Sequence, residues 1–108
     1  MTTIRLPTHR PPTHPGEMLL EEFLKPLGLT QRALADALHM PYQRVNEIVR
    51  GKRGITPATA LRLARFFGTT PQFWLNLQQA WDLYHAYRRE AAVLQRIQPY
   101  QAPAAATG

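Results

Sequence analysis

The sequence predicts an all-α protein built from five helices. Five segments carry apolar residues at the three- and four-residue spacing of an amphipathic helix, and residues typical of helix ends separate them. Two segments begin at a Thr-Pro pair, Thr56-Pro57 and Thr70-Pro71, in which threonine caps the helix and proline occupies its first turn. No segment shows the alternating pattern of a β-strand. A chain of 108 residues allows one compact domain but not two.

Helix one is expected at about residues 15 to 25, because Pro15 suits a first helical turn and Pro26 stops or kinks a helix. Gly28 can adopt the left-handed conformation that commonly ends a helix. Large apolar side chains at helical spacing are expected to form its inner face: Leu19, Leu20, Phe23, Leu24 and Leu27.

The stretch from residue 27 to residue 54 (LGLTQRALADALHMPYQRVNEIVRGKRG) predicts two short helices joined by a tight turn, followed by a basic loop. Thr30 is a good cap for helix two, and Met40-Pro41 breaks the helical pattern. Gly51 is expected to end helix three. The inner faces of the two helices are expected to contain Leu34, Ala35, Leu38, Val45, Ile48 and Val49. This layout is a helix-turn-helix.

Helix four is expected to begin at Pro57, after the cap Thr56, and to end at Gly68. Arg62 and Arg65 are expected to lie in solvent. The inward residues are expected to be Ala60, Leu61, Leu63, Ala64 and Phe67.

Helix five is expected to run from Pro71 to about Arg96. Apolar residues recur along it at helical spacing: Phe73, Leu77, Ala80, Tyr84, Tyr87, Ala91 and Leu94. With two tryptophans beside this stripe, the apolar surface is too wide for one neighbouring helix. Large aromatic side chains favour protein interfaces, so we expect a homodimer interface at Trp74, Trp81 and Tyr84. The alternative is that all of this surface belongs to the core.

Helix three carries side chains suited to reading DNA in the major groove. Gln43 and Asn46 have amides that can pair with an adenine edge, and Arg44 can bind guanine with two hydrogen bonds. Glu47 could instead orient Arg44 without touching a base. The complete set of predicted DNA-binding residues is Gln31, Tyr42, Gln43, Arg44, Asn46, Glu47, Arg50, Lys52 and Arg53. The alternative is a helical hairpin with a solvated polar face.

Composition narrows the class of function. The net charge of +6 comes from 13 basic and 7 acidic residues and indicates a polyanionic partner or a membrane surface. The chain has no cysteine and no serine, and no nucleophile–base constellation is recognisable, so we expect no catalytic residues. We also expect no metal and no cofactor. No apolar run approaches the roughly 18 residues of a spanning helix, and no signal peptide is recognisable, so a cytoplasmic location is expected.

Both ends of the chain are expected to be flexible. Residues 1 to 13 are rich in proline and predict an arm, in which Arg5 and Arg10 are either solvated or in contact with DNA. His9 and His14 lack a third ligand and do not predict a metal site. Residues 14 to 96 are expected to form the helix-turn-helix domain, and residues 97 to 108 a tail.

Three stretches carry a family resemblance: HPGEMLLEEFLKPLGLTQ (residues 14 to 31), RVNEIVRGKRGIT (44 to 56) and ALRLARFFGTTPQFWLNLQ (60 to 78). They resemble HigA-type antitoxins, a branch of the lambda-repressor-like (XRE) family of helix-turn-helix proteins. One position departs from the family pattern, since the turn after helix two often has glycine and here has His39. Histidine is among the residues enriched at positive φ, so the turn remains possible.

The resemblance implies a five-helix lambda-repressor-like fold and the function of an antitoxin in a type II toxin–antitoxin module. Such a protein binds double-stranded operator DNA, represses its own operon and neutralises a ribonuclease toxin of the HigB/RelE type. A homodimer is expected, because one recognition helix covers only a few base pairs. RelE-type toxins are expected to be basic, so Glu17, Glu21 and Glu22 are the expected toxin-binding residues.

Two other functions stay open. The chain could be a stand-alone XRE transcriptional regulator without a toxin partner, which the neighbouring gene would decide. It could also be an RNA-binding or protein-interaction module that uses the same basic helix. Duplex A-form RNA has a major groove too narrow for side chains to read, so binding to duplex DNA separates this case.

Overall fold

The computed structural model describes residues 11 to 103. Arg5, His9 and Arg10 of the predicted arm and residues 104 to 108 of the predicted tail lie outside the described residues.

All regular structure in the described range is helical, as predicted. The first helix, α1, consists of an α-helical turn Pro15–Leu19, a π-helical segment Leu20–Leu24 and an α-helical end Lys25–Leu27. Four helices follow: α2 (Gln31–Leu38), α3 (Tyr42–Val49), α4 (Pro57–Phe67) and α5 (Pro71–Arg96). The prediction of five helices is confirmed for this part of the chain.

Threonine caps fix the start of three helices. The side-chain oxygens of Thr30, Thr56 and Thr70 each accept a hydrogen bond from a backbone N–H three residues later. Each cap satisfies one of the N–H groups that a first helical turn leaves without a partner. The predicted starts of α2, α4 and α5 are therefore confirmed.

Of the two effects predicted for Pro26, stopping or kinking the helix, stopping does not occur. The helix continues to Leu27, and Gly28 then takes the left-handed conformation with φ of 62°. Proline has no N–H to donate, and its ring would clash with the carbonyl of Glu22 in a regular α-helix. The preceding π-helical segment, in which Lys25 N–H bonds to Leu20 O, accommodates the proline with a wider turn.

The core lies between the first four helices and the start of α5. Its buried apolar members are Leu19, Leu24, Leu34, Ala35, Leu38, Met40, Val45, Ile48, Ile55, Ala60, Leu63, Ala64 and Trp74. Two predicted inward residues are wrong: Leu27 is 63% exposed and Leu61 is 60% exposed. Leu27 lies beyond the π-helical segment, which turns the helix face away from the predicted 3.6-residue period. In α4 the adjacent residues Ala60, Leu63 and Ala64 occupy the inner face instead.

α1 crosses the end of α3 at Gly16. A Cβ atom at this position would lie 1.7 Å from the backbone carbonyl oxygen of Ile48. His14 caps the same helix, since its Nδ1 accepts a hydrogen bond of 2.9 Å from Gly16 N–H. Close contact between the two backbones therefore sets the position of α3, the helix predicted to read DNA.

The second half of α5 extends past the core. Tyr84 is the last buried residue of this 26-residue helix, which is about 39 Å long. Beyond it, exposed apolar side chains include Val93, Leu94 and Ile97. Helix α5 therefore combines a packed first half with a second half whose exposed surface carries both apolar and charged side chains.

Candidate nucleic-acid interface

A tight turn at His39 joins α2 to α3. His39 has φ of 55° and ψ of 48°, the left-handed conformation, and its N–H bonds to carbonyl groups in the last turn of α2. Pro41 precedes α3 as its N-cap residue in an extended conformation. The turn is therefore built as the sequence indicated, with histidine in the place often taken by glycine.

Arg62 of α4 binds this turn and is not simply solvated as predicted. Its guanidinium donates hydrogen bonds to the carbonyl oxygens of Leu38, at 3.2 Å, and His39, at 2.8 Å. These carbonyls end α2, where a positive charge also interacts favourably with the helix dipole. Arg62 thus holds the α2–α3 angle from outside the helix-turn-helix.

The inner face of α3 packs against the core and leaves its polar face outward. Val45 and Ile48 are each 1% exposed, whereas Gln43 and Arg44 are exposed. After the helix, Gly51 has φ of 74°, and Lys52 N–H bonds to Glu47 O at 2.8 Å. The chain therefore leaves α3 sharply, and Lys52 and Arg53 follow directly at the end of the helix.

A hydrogen bond between side chains joins the two helices of the motif. The amide of Asn46 in α3 donates to the side-chain oxygen of Gln31, the first residue of α2, at 3.0 Å. Asn46 is half-buried, so part of its hydrogen-bonding capacity is already used inside the protein. The Gln31 amide nitrogen stays available at the N-terminus of α2, where backbone N–H groups favour an anion such as phosphate.

Glu47 lies between Gln43 and Arg53 instead of orienting Arg44. Arg53 Nε donates to Glu47 Oε1 at 2.8 Å, and the Gln43 amide donates to Glu47 Oε2 at 3.3 Å. The hydrogen bond from Arg53 lowers the pKa of Glu47, so the carboxylate is charged at neutral pH. These hydrogen bonds hold Gln43, a predicted base-reading residue, and Arg53, a predicted phosphate-binding residue, at fixed positions relative to each other.

Three further cations border α3. Arg44, Arg50 and Lys52 are exposed, and none has an ion-pair partner among residues 11 to 103. Unpaired cations around one helix create a positive potential that attracts a polyanion. The predicted DNA-binding residues therefore lie on α3, at its end or at the start of α2.

Arg32 belongs to the same surface and was missed by the reasoning from sequence. Its guanidinium carbon lies 4.6 Å from the centre of the Tyr42 ring, within the range of a cation–π contact. Its position directly after Gln31, in the first turn of α2, was the available signal. The contact with Tyr42 spans ten positions in sequence, and helical periodicity does not predict it.

The predicted toxin-binding glutamates are all exposed on α1, in three different settings. Glu21 forms an ion pair of 2.9 Å with Lys25, and Glu17 lines a shallow cavity next to Arg50. Glu22 has no ion-pair partner within the described part of the chain. Glu17 is therefore close to the predicted DNA-binding surface, which makes it a poor site for testing toxin binding alone.

The predicted dimer residues need a correction. Trp74 is 0% exposed and packs against Phe23 with ring centres 5.0 Å apart, while its Nε1 donates to Thr69. Trp74 is thus a core residue and cannot meet a second chain. Tyr84 is only 7% exposed. Trp81 is half-buried against the rings of two histidines and retains some accessible surface.

No group of three or more residues of metal-ligating type occurs among residues 11 to 103. Within the same range, no helix is both long enough and apolar enough to cross a membrane.

The exposed polar α3, its tight turn from α2 and the surrounding cations define a helix-turn-helix DNA-binding domain. A family model described as helix-turn-helix matches residues 20 to 74. Antitoxin HigA-1 of Vibrio cholerae serotype O1 is 42% identical over 87 residues, which cover 78% of this chain and 82% of that protein. The chain therefore belongs to the HigA-like branch of the XRE helix-turn-helix family.

Two further relatives are similar over most of their length. Virulence-associated protein I of Dichelobacter nodosus is 55% identical over 83 residues, covering 77% of each chain. The solved structure of Pseudomonas aeruginosa antitoxin HigA with the higBA promoter has a TM-score of 0.80 and 43% identity. That likeness covers 83% of this chain and 99% of the other. The chain is thus similar in fold to an antitoxin solved together with promoter DNA.

Proposed function

We propose that this chain is the antitoxin of a type II toxin–antitoxin module. It binds operator DNA as a homodimer, represses its own operon and neutralises a RelE/HigB-type ribonuclease toxin. The exposed polar face of α3, bordered by unpaired cations, carries the DNA-binding part. Similarity to Vibrio cholerae antitoxin HigA-1 and to the promoter-bound Pseudomonas aeruginosa HigA supports the antitoxin part.

In this proposal α3 enters the major groove with its first turn toward the bases. Gln43 and Arg44 read base edges, and Tyr42 lies beside them. Lys52 and Arg53 bind phosphates at the other end of the helix, with Arg50 close to them. We assign Glu47 to holding Gln43 and Arg53 in place instead of to reading a base, since each of its oxygens accepts a hydrogen bond from one of them. Its charge would otherwise repel the phosphates, and the bond to Arg53 offsets that repulsion.

Substitutions of base-reading residues and of phosphate-binding residues are expected to weaken DNA binding in different ways. Gln43→Ala or Arg44→Ala should cost about 1–3 kcal/mol per half-site on the operator and relax preference at particular base pairs. Lys52→Ala should weaken binding to operator and scrambled duplex alike. It should also flatten the log–log salt dependence by roughly one unit for each phosphate that is no longer bound. Salt titrations of each variant on the two duplexes measure both effects.

Arg65→Ala is the matched control, since Arg65 is an exposed arginine of α4, outside α2, α3 and the basic loop after α3. It should change neither the base preference nor the salt dependence. If Lys52→Ala altered base preference while Gln43→Ala and Arg44→Ala left it intact, the assignment of α3 would be wrong. Equal affinity for duplex DNA and single-stranded RNA would favour the RNA-binding alternative.

The second half of α5 is the surface we assign to the dimer. Leu83 and Leu94 are exposed, and with Tyr87 they fall at positions i, i+4 and i+11 on one stripe of α5; the exposed Ile97 follows directly after the helix. The occupant is a second copy of this chain, because an operator with two half-sites needs two copies of α3. Trp81 can contribute at the start of this surface, in place of the buried Trp74.

We assign toxin neutralisation to α1. Glu21 and Glu22 lie side by side on its exposed surface, and a toxin that acts on RNA is expected to be basic. Glu22 is the better test, since Glu21 is already paired with Lys25. Glu17 lies next to Arg50, so its replacement would disturb DNA binding as well.

Glu22→Lys is expected to slow association with the toxin several-fold at low salt, because charge steering acts on the association rate. Operator affinity should change much less. Asp36→Lys on α2 introduces the same change of charge at another exposed site and should leave the association rate close to wild type. Stopped-flow or surface-based kinetics measure the rates, and equal rates for both variants would remove α1 from the toxin interface.

Co-purification tests the existence of the partner. The gene next to this one should encode a basic protein of roughly a hundred residues, as expected for a RelE-type toxin, and the two should purify together. Operator binding without such a gene and without a co-purifying protein would support a stand-alone XRE regulator instead.

A further inference from the structure

Arg32 and Tyr42 form a pair at the front of the helix-turn-helix. Arg32 is in the first turn of α2 and is exposed, and Tyr42 is the first residue of α3 with 40% of its surface exposed. The guanidinium carbon is 4.6 Å from the centre of the tyrosine ring. The pair therefore bridges the N-termini of the two helices that approach DNA.

The contact with the ring leaves the hydrogen-bond donors of Arg32 unused. A cation–π contact engages the guanidinium as a charge over the ring, whereas its N–H groups point along its plane. No acceptor within residues 11 to 103 bonds to them. A planar fork of free N–H groups, held in one place by an aromatic ring, is suited to bind phosphate oxygens with two hydrogen bonds.

The location also favours an anion. The first turn of α2 presents backbone N–H groups and the positive end of the helix dipole, and the Gln31 amide nitrogen lies beside it. Lys52 and Arg53 are at the opposite end of α3, a helix of 8 residues that is about 12 Å long. Phosphate contacts at both ends would hold such a helix in the groove in one orientation.

We propose that Arg32 is a phosphate-binding residue that the ring of Tyr42 holds in position. The ligand is a DNA backbone phosphate at the N-terminal end of α3, distinct from the phosphates bound by Lys52 and Arg53. This assignment rests on the proposed binding of duplex DNA. It also gives Tyr42 a positioning role, in addition to any contact with a base.

A salt titration of operator and scrambled duplex tests the assignment. Each bound phosphate contributes about 0.9 to the slope of log affinity against log salt. A dimer that binds one phosphate fewer at each half-site should therefore show a slope smaller by about 1.8 units in Arg32→Ala. Affinity should fall by the same factor on both duplexes, since a phosphate carries no sequence information. Arg32→Lys keeps the charge and should keep most of the slope, with weaker binding.

Tyr42→Leu removes the ring and tests the positioning role. If the ring holds Arg32, the affinity decreases caused by Arg32→Ala and Tyr42→Leu should be less than additive in the double variant. Arg65→Ala is the control for an exposed arginine outside the surface, and thermal unfolding verifies that each variant is folded.

The outcomes separate this proposal from the proposed function. If wild type binds the operator and Arg32→Ala keeps the full slope, the phosphate assignment is wrong and operator binding stands. A decrease confined to the operator would make Arg32 a base reader and overturn the assignment. Strictly additive decreases in the double variant would overturn the role of Tyr42. Failure of wild type to bind any duplex would refute the proposed function, and this assignment with it.

Discussion

Gly16→Ala is expected to destabilise the fold by about 3 kcal/mol, at the upper end of the usual cost of overpacking. The new Cβ would lie 1.7 Å from the carbonyl oxygen of Ile48, which is backbone and cannot rotate away like a side chain. The two helices would have to separate, which would open the packing around Leu19 and Ile48 in the core. Chemical denaturation of both proteins, monitored by circular dichroism, measures the difference in free energy of unfolding.

Gly28→Ala is the matched control for this prediction. Gly28 has φ of 62°, and no atom would lie within 4 Å of an added Cβ. The cost there is only that of a left-handed backbone for a residue with a side chain, about 1 kcal/mol. Equal destabilisation at the two positions would mean that α1 and α3 can separate at a cost of only about 1 kcal/mol, and that Gly16 does not set the position of α3.

Loss of operator binding should accompany the instability of Gly16→Ala. The substitution acts at the end of α3, and the groove contacts of this helix depend on its angle to the rest of the domain.

His14 caps α1 next to the crossing, and burial lowers the pKa of its imidazole despite the opposing charges of Asp82 and Glu17. The neutral ring keeps Nδ1 as an acceptor, so the cap and the crossing support each other.

The helices could be predicted from sequence because their signals are local. Thr30, Thr56 and Thr70 each cap the helix that immediately follows, and Gly28, Gly51 and Gly68 have the positive φ that helix ends favour. The positive φ of His39 follows from the same local argument. These features involve neighbouring residues only, and a single sequence contains all the information they need.

The errors arose where distant residues decide the outcome. Arg62 is exposed as expected, but its hydrogen bonds to the carbonyls of Leu38 and His39 join residues 24 and 23 positions apart and were not predicted. Trp74 was expected at an interface because large aromatic side chains favour interfaces, but Phe23 and the rest of the core enclose it. Periodicity shows which residues share a face of a helix, and it does not show what covers that face.

In the candidate DNA-binding site, too, some features could be predicted from local sequence and others depend on the fold. Gln43, Arg44 and Lys52 were identified from residue type and position on α3. The bonds from Asn46 to Gln31 and from Arg53 to Glu47 became visible only in the folded chain. These bonds matter for function because they decide which polar groups remain available to DNA.

Leu94→Glu is expected to convert the proposed dimer into a monomer and to lower operator affinity by roughly 10²- to 10⁴-fold. Leu94 is 44% exposed on the stripe that it forms with Leu83 and Tyr87. A charge placed there would lose its hydration in an apolar interface without a partner to compensate it. Two linked recognition helices bind two half-sites with an avidity of the stated size, and a monomer lacks this avidity.

Ala92→Glu introduces the same charge on the opposite side of the same helix and serves as the control. Ala92 is exposed, and about half a helical turn separates its direction from that of Leu94. Light scattering at micromolar concentration, without and with operator DNA, should show a dimer for wild type and Ala92→Glu, and a monomer for Leu94→Glu. A Leu94→Glu protein that remains dimeric would place the interface elsewhere, with Trp81 as the next position to test. A wild-type protein that is monomeric in both conditions would refute the proposed dimer. A single α3 would then bind the operator through one half-site.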